Sequence, residues 1–124
     1  MIYTERDKNT EYFIPYIEQA VSKLAVQDYS AFLDMFDSSR LSEEDMISAL
    51  KFLDDDWPVT RIDDPLITKC EKRRIDIFQY NDGSGYHIDY DLSTDGERND
   101  LTLSCEFLKT ADGYYVSVLD LHTL

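Results

Sequence analysis

His87-x-Asp89-x-Asp91 sets an imidazole and two carboxylates at alternate positions, so an extended strand would turn all three toward one side. Those are the groups of a metal site or of an acid/base pair. Successive members of such a row stand about 7 Å apart, too wide to close on one ion unless another strand or loop contributes. A second chemically loaded stretch is Asp54-Asp55-Asp56-Trp57-Pro58, dense negative charge beside the single Trp. An exposed Trp ringed by carboxylates would anchor a basic partner, the ring supplying contact area and the charges steering approach. The same residues would also suit a Trp that plugs the base of the core while the aspartates are solvated, and the sequence leaves both open.

Catalytic and metal patterns are weak elsewhere. The series Asp89, Asp91, Ser93, Asp95, Gly96 is spaced like a calcium loop, but an EF-hand takes Gly at its sixth position and Glu at its twelfth, where this chain has Thr94 and Asp100. Asp89-Tyr90-Asp91-Leu92-Ser93 fits the D-x-D-x-[ST] pattern of aspartate-nucleophile phosphatases. That chemistry sits at the end of a parallel strand, whereas this segment reads as part of a hairpin series. No G-x-S-x-G, P-loop, G-x-G-x-x-G or H-E-x-x-H pattern occurs, and His122 has no partner nearby in sequence. Cys70 and Cys105 lack C-x-x-C spacing and neighbouring His, so they read as reduced, packed thiols, and no cofactor or metal is expected.

The elements that must position these residues are legible from periodicity. Phe13, Ile14, Ile17, Val21 and Leu24 mark one face of a helix from Thr10 to about Val26, with Pro15 in its opening turns. A second helix, Tyr29 to Phe36, buries Phe32, Met35 and Phe36 and is broken by Ser38-Ser39-Arg40. Ser42 is the N-cap of a third, with Glu43, Glu44 and Asp45 in its first turn, Leu41 stapled to Met46, and Met46, Ile47, Leu50 and Leu53 inward. Carboxylates at a helix N-terminus have a sufficient structural reason to be there.

After Asp63-Asp64-Pro65 the period falls to two. Strands are expected at Arg74–Tyr80, Tyr86–Leu92, Leu101–Lys109 and Tyr114–Leu121, with a polar loop from Ser93 to Asp100. Tyr86, Ile88, Tyr90 and Leu92 alternate with His87, Asp89 and Asp91; Leu101, Leu103, Cys105 and Phe107 alternate with Thr102, Ser104 and Glu106. The first and fourth strands do not alternate cleanly, and their faces are left unassigned. One α+β domain, residues 1–124, is therefore expected: three N-terminal helices (about 10–56) packed on one face of a four-stranded antiparallel meander (about 70–124). Helices over a strongly bent sheet can also form an NTF2-like or cystatin-like cone, a fold that hosts enzymes and binding modules alike.

Charge narrows the function classes. Twelve Lys and Arg against 26 Asp and Glu give a net charge of −14. Such a balance excludes a binder of nucleic-acid backbones and of anionic membranes, and favours a basic protein partner. Beyond the basic cluster Lys69, Lys72, Arg73 and Arg74, the segment 76–124 has ten acidic residues against Arg98 and Lys109. The N-terminus has no apolar leader and no run approaches a membrane span, so a cytoplasmic protein is expected.

The ending Asn99-Asp100-Leu101-Thr102-Leu103, Asp112-Gly113-Tyr114-Tyr115-Val116 and Leu119-Asp120-Leu121-His122-Thr123-Leu124 resembles the small acidic immunity proteins of bacterial contact-dependent growth inhibition and related polymorphic toxin systems. The resemblance lies in residues 98–124 and brings no functional residue over by position. It implies a non-enzymatic inhibitor of a cognate toxin, expected to be a basic nuclease domain whose substrate phosphates the carboxylates would replace. Fast capture of such a toxin suits a strongly acidic surface. The expected contact residues are His87, Asp89, Asp91 and Glu106 on the sheet, Asp95 and Glu97 in the following loop, and Asp54, Asp55, Asp56 and Trp57. The alternative is an NTF2-like small-molecule-binding protein or small enzyme with a pocket between helices and sheet, His87 or an aspartate serving as acid/base.

Overall fold

A computed structural model of the chain describes residues 9–51 and 59–123. The architecture is α+β, in the order α1 (Asn9–Ala25), α2 (Tyr29–Asp34), β1 (Ser38–Ser39), α3 (Glu43–Leu50), β2 (Ile75–Gln79), β3 (Gly85–Thr94), β4 (Glu97–Lys109) and β5 (Tyr114–Thr123). The strands form one sheet in the order β1-β5-β4-β3-β2. The sheet therefore has five strands and is mixed, in place of the expected four-stranded antiparallel meander. The added strand is Ser38–Ser39, read above as a breaker, which pairs parallel with Ser117 and Val118. Two residues are too few to carry a period, so nothing in the sequence marks them as a strand.

Each helix forms where its local signals place it. Ser42 accepts from the Asp45 N–H while the Asp45 carboxylate accepts from the Ser42 N–H, a reciprocal cap that fixes the start of α3. Ser42→Ala is expected to cost about 1 kcal/mol, read as a lower urea midpoint at unchanged slope. The Asp28 side chain caps α2 in the same manner by accepting from the Ala31 N–H. Pro15 lies inside α1, beyond its opening turn, because the helix begins at Asn9. Leu53, expected on the inner face of α3, lies outside the described residues.

Phe13 fastens α1 to the sheet: its ring stacks on Phe107 at 4.3 Å and meets the edges of Tyr86 and Tyr114 at 5.1 and 5.0 Å. Ile17, Phe32, Met46, Leu50, Ile88, Leu92, Leu103 and Val116 complete a core of fully buried side chains between helices and sheet. Aromatic pairs at such separations add to the burial itself.

One irregularity settles a face that alternation left open. Ser104 pairs with Asp120 but Cys105 pairs with Val118, so Leu119 is an extra residue in β5. That bulge flips the parity and puts Val116, Val118 and Leu121 on the same buried face. The expected loop from Ser93 to Asp100 is instead a continuation of the β3–β4 hairpin, closed by the two-residue turn Asp95-Gly96. Both turn residues have positive φ, 53° and 82°, the requirement that makes Asp-Gly a hairpin turn.

Candidate functional site

With the helices packed on the apolar side, the opposite face of the sheet carries most of the polar positions of β3, β4 and β5, together with Asp76 and the exposed Phe78 of β2. The register lines them up in rows: Asp76, Asp89, Ser104 and Asp120 in one; His87 opposite Glu106, and Glu106 opposite Ser117, in the next; Asp91, Thr102 and His122 in a third. His87, Asp89 and Glu106 are thus brought together as expected, and Asp76, Asp120, Ser104 and His122 join them.

The center of this face is a connected hydrogen-bond network. Asp89 Oδ1 lies 2.8 Å from His87 Nε2 and accepts from Ser104 Oγ at 2.6 Å. Ser104 Oγ lies 3.2 Å from His122 Nε2, so the network reaches from β4 to His122 on the adjacent β5. Burial alone would raise the Asp89 carboxyl, but the bonds from Ser104 and His87, with the charges of His87 and His122, hold it below the ordinary carboxylate range. Glu106 accepts from the Tyr80 hydroxyl at 2.6 Å; burial, then that bond and the Glu106 charge, push Tyr80 up to about 12 despite the opposing Arg40.

This order, His87–Asp89–Ser104–His122, differs from that of a nucleophilic triad. There an imidazole takes the serine proton and the carboxylate stands behind it; here the carboxylate takes the hydroxyl directly, and Ser104 is buried. Among the described residues no group of three His, Cys, Asp or Glu has the geometry to hold a metal ion. What the arrangement does is fix the direction of half-exposed carboxylate and imidazole groups on a rigid sheet.

Asp91 does not belong with them as a contact. Its carboxylate is buried, accepts from Thr102 Oγ1 at 3.0 Å, and lies 3.5 Å from both Arg74 Nη2 and Arg98 Nη1. Its charge is compensated within the fold, as a buried carboxylate requires. Asp95 and Glu97 are exposed, but at the far tip of the hairpin, six residues beyond Asp89 and so about 20 Å along the strand. Asp95 is engaged there by Arg61. The expected set therefore separates into a central cluster and a distant turn, while Asp54, Asp55, Asp56 and Trp57 lie outside the described residues.

Sequence reasoning missed Asp76, Ser104, Asp120, His122 and Tyr80. The Thr110–Gly113 turn gives a signal for β5, because counting back from Lys109 opposite Tyr114 aligns the two strands. The Leu119 bulge then displaces that count by one residue and hides His122 and Asp120.

The pocket expected between helices and sheet falls where the core is filled by Phe13, Ile17, Phe32 and Phe107. An open cleft of about 580 Å³ lies elsewhere, between the 69–72 segment and the 96–100 end of the hairpin, and a second of about 420 Å³ borders Glu18, Cys70 and Arg73. Cys70 and Cys105 are both free thiols; burial, with the Asp89 charge, pushes the Cys105 thiol up. No described helix is long and apolar enough to cross a membrane.

Among known proteins, the model of one family, described as a domain of unknown function (DUF7668), matches residues 21–124. No curated protein and no solved structure matches the chain.

Proposed function

The chain belongs to the DUF7668 family, and we propose that it is a cytoplasmic immunity protein that binds and neutralises a basic toxin domain, of the nuclease class, in a contact-dependent growth inhibition or polymorphic toxin system. The observation that carries this reading is the polar face of the sheet. Its carboxylates Asp76, Asp89, Glu106 and Asp120 project from adjacent, rigidly paired strands on a chain of net charge −14. A fixed array of negative charge accelerates encounter with a basic surface and presents oxygens where a nuclease would bind phosphate. The internal network leaves Asp89 ionised and oriented before the partner arrives, so little ordering remains to be done on binding.

The test begins with retention of a toxin fragment from host lysate by the tagged protein, at low and at high salt, identified by mass spectrometry. Association of that fragment is then timed by stopped flow against Glu106→Lys/Asp120→Lys, which inverts two charges of the face and leaves Asp91 with both of its guanidinium partners. The on-rate at low salt is expected to fall more than about tenfold. The same charge change at Glu43→Lys/Glu44→Lys, on the exposed start of α3, should cost much less. Equal slowing by both variants would remove the sheet face from the reading, and a lysate that yields no basic toxin fragment would remove the inhibitor function.

A further inference from the structure

The two edges of the sheet are not alike. On one side it ends in β1, only two residues long; on the other it ends in β2, a full strand whose outer side pairs with no other described strand. Within β2 the only charge is Asp76, there is no proline, and Ile77 and Phe78 are 37% and 54% exposed. Edges of this kind are ordinarily blunted by charge, proline or a bulge, because a row of unpaired backbone groups recruits another strand.

The direction of those backbone groups follows from the ladder. Asp91 N–H donates to the Arg74 carbonyl and Tyr80 N–H to the Gly85 carbonyl, so the even-numbered residues of this strand bond inward to β3. Ile75, Ile77 and Gln79 consequently turn their N–H and C=O groups outward. We propose that β2 is a homodimer interface: two copies pair antiparallel about a two-fold axis at Ile77, which joins their sheets into one.

The symmetry suits the residues. An axis at Ile77 sets Ile77 against itself and Ile75 against the second copy's Gln79, which are the outward-bonding positions. On the polar face Arg74 falls opposite the second copy's Tyr80, whose hydroxyl is bound to Glu106. The antiparallel sense also brings the basic approach to the strand, Lys72, Arg73 and Arg74, toward the Asp82 turn that follows it in the other copy. A second copy is favoured over a basic partner here because residues 69–80 carry four basic side chains against Glu71 and Asp76. This is where the repulsion between two acidic molecules is least and where a basic protein would be least welcome. The inference rests on the backbone edge of β2, whereas the toxin-binding reading uses the face of the sheet, and the two share only Asp76.

Light scattering across a concentration series is the test. The average mass should rise from the 14.5 kDa of one chain toward twice that value. Added salt should strengthen the association, since it screens the overall repulsion of like-charged copies. Ile77→Lys, which sets two ammonium groups face to face at the axis, should raise the dissociation constant by at least about tenfold while leaving thermal unfolding of the dilute protein unchanged. Amide exchange supplies a readout free of substitution: the Ile75, Ile77 and Gln79 amides should exchange readily when dilute and slow when concentrated. A chain that stays at 14.5 kDa at every concentration, or an association that Ile77→Lys leaves intact, overturns the proposal.

Discussion

An Asp63→Ala variant is expected to melt about 10 °C below the parent, from a loss of about 3 kcal/mol. Asp63 sits in the connection between α3 and β2, buried beside Ile62, and its carboxylate ties that connection to the β3–β4 turn. It accepts from Ser93 Oγ at 2.9 Å, from the Asp95 N–H at 2.9 Å and from the Gly96 N–H at 2.8 Å. Asp95 and Gly96 are the two positive-φ residues of the turn, whose amides would otherwise look to water. The backbone joins in, Asp63 N–H donating to the Ser93 carbonyl at 2.8 Å. Alanine removes an ionised acceptor from three donors at once, and each charge-assisted bond contributes about 1.5–3 kcal/mol before water reclaims part of it. Asp63→Asn keeps the shape but offers a single oxygen, so it should recover about half of the loss. Thermal unfolding of both variants decides: a melting point equal to the parent's would mean the turn holds its geometry without Asp63, and the connection is merely laid against it.

That contact also shows where the sequence runs out. Ser93 to Asp100 is polar at nearly every position, and polarity without periodicity reads as loop. The Asp-Gly pair at 95–96 is nonetheless a strong hairpin signal on its own, and what lets the polar strand ends be buried is distant in sequence: Asp63 for Ser93, and Arg74 for Asp91. Local signals complete within a few residues were legible, as with the Ser42 cap, the α1 stripe and the alternation of β3 and β4. Features that depend on register were not. The Leu119 bulge inverts the parity of β5 after Val118, so Val116 and Leu121 read as opposing residues although they share one face.

The candidate site divides along the same line. The row His87, Asp89 and Glu106 follows from alternation alone, and the fold keeps it. Asp91 obeys the same alternation, yet two guanidinium groups and a threonine hydroxyl enclose it, and no spacing within the strand could reveal that. Carboxylates on one strand are therefore unequal as contacts. Those whose charge is met inside the protein steer a partner weakly, because a neutralised pair has little field beyond its own dimensions. This is why Asp120, exposed at the margin of the face, and Glu106 are better probes of recognition than Asp91 or than Asp76, which lies 3.3 Å from Arg74 Nε.

Gly85→Ala should be more damaging than its single added carbon suggests, costing about 3–4 kcal/mol and lowering the yield of folded protein. Gly85 opens β3, pairs with Leu108 and is buried. A Cβ there would lie 2.2 Å from the Phe107 carbonyl oxygen and 2.9 Å from the Leu108 Cα. Both are backbone atoms of β4, so no side-chain rotation relieves the clash and the strands must part. The start of β3 is held on both flanks: Lys109 N–H of β4 donates to the Ser84 carbonyl, and Tyr80 N–H, just beyond β2, donates to the Gly85 carbonyl. Separation would reach the aromatic cluster next to it, where Phe13 packs on Tyr86 and Phe107. Gly83→Ala supplies the contrast, since its added carbon meets open space and pays only for a positive φ of 73°, about 1 kcal/mol. The two variants differ by one methyl group placed two residues apart, so their urea midpoints compare steric overlap with backbone strain directly. A Gly85→Ala midpoint at or above that of Gly83→Ala would mean that β3 and β4 can move apart at little cost, and the rigid face assigned to binding would lose its physical basis.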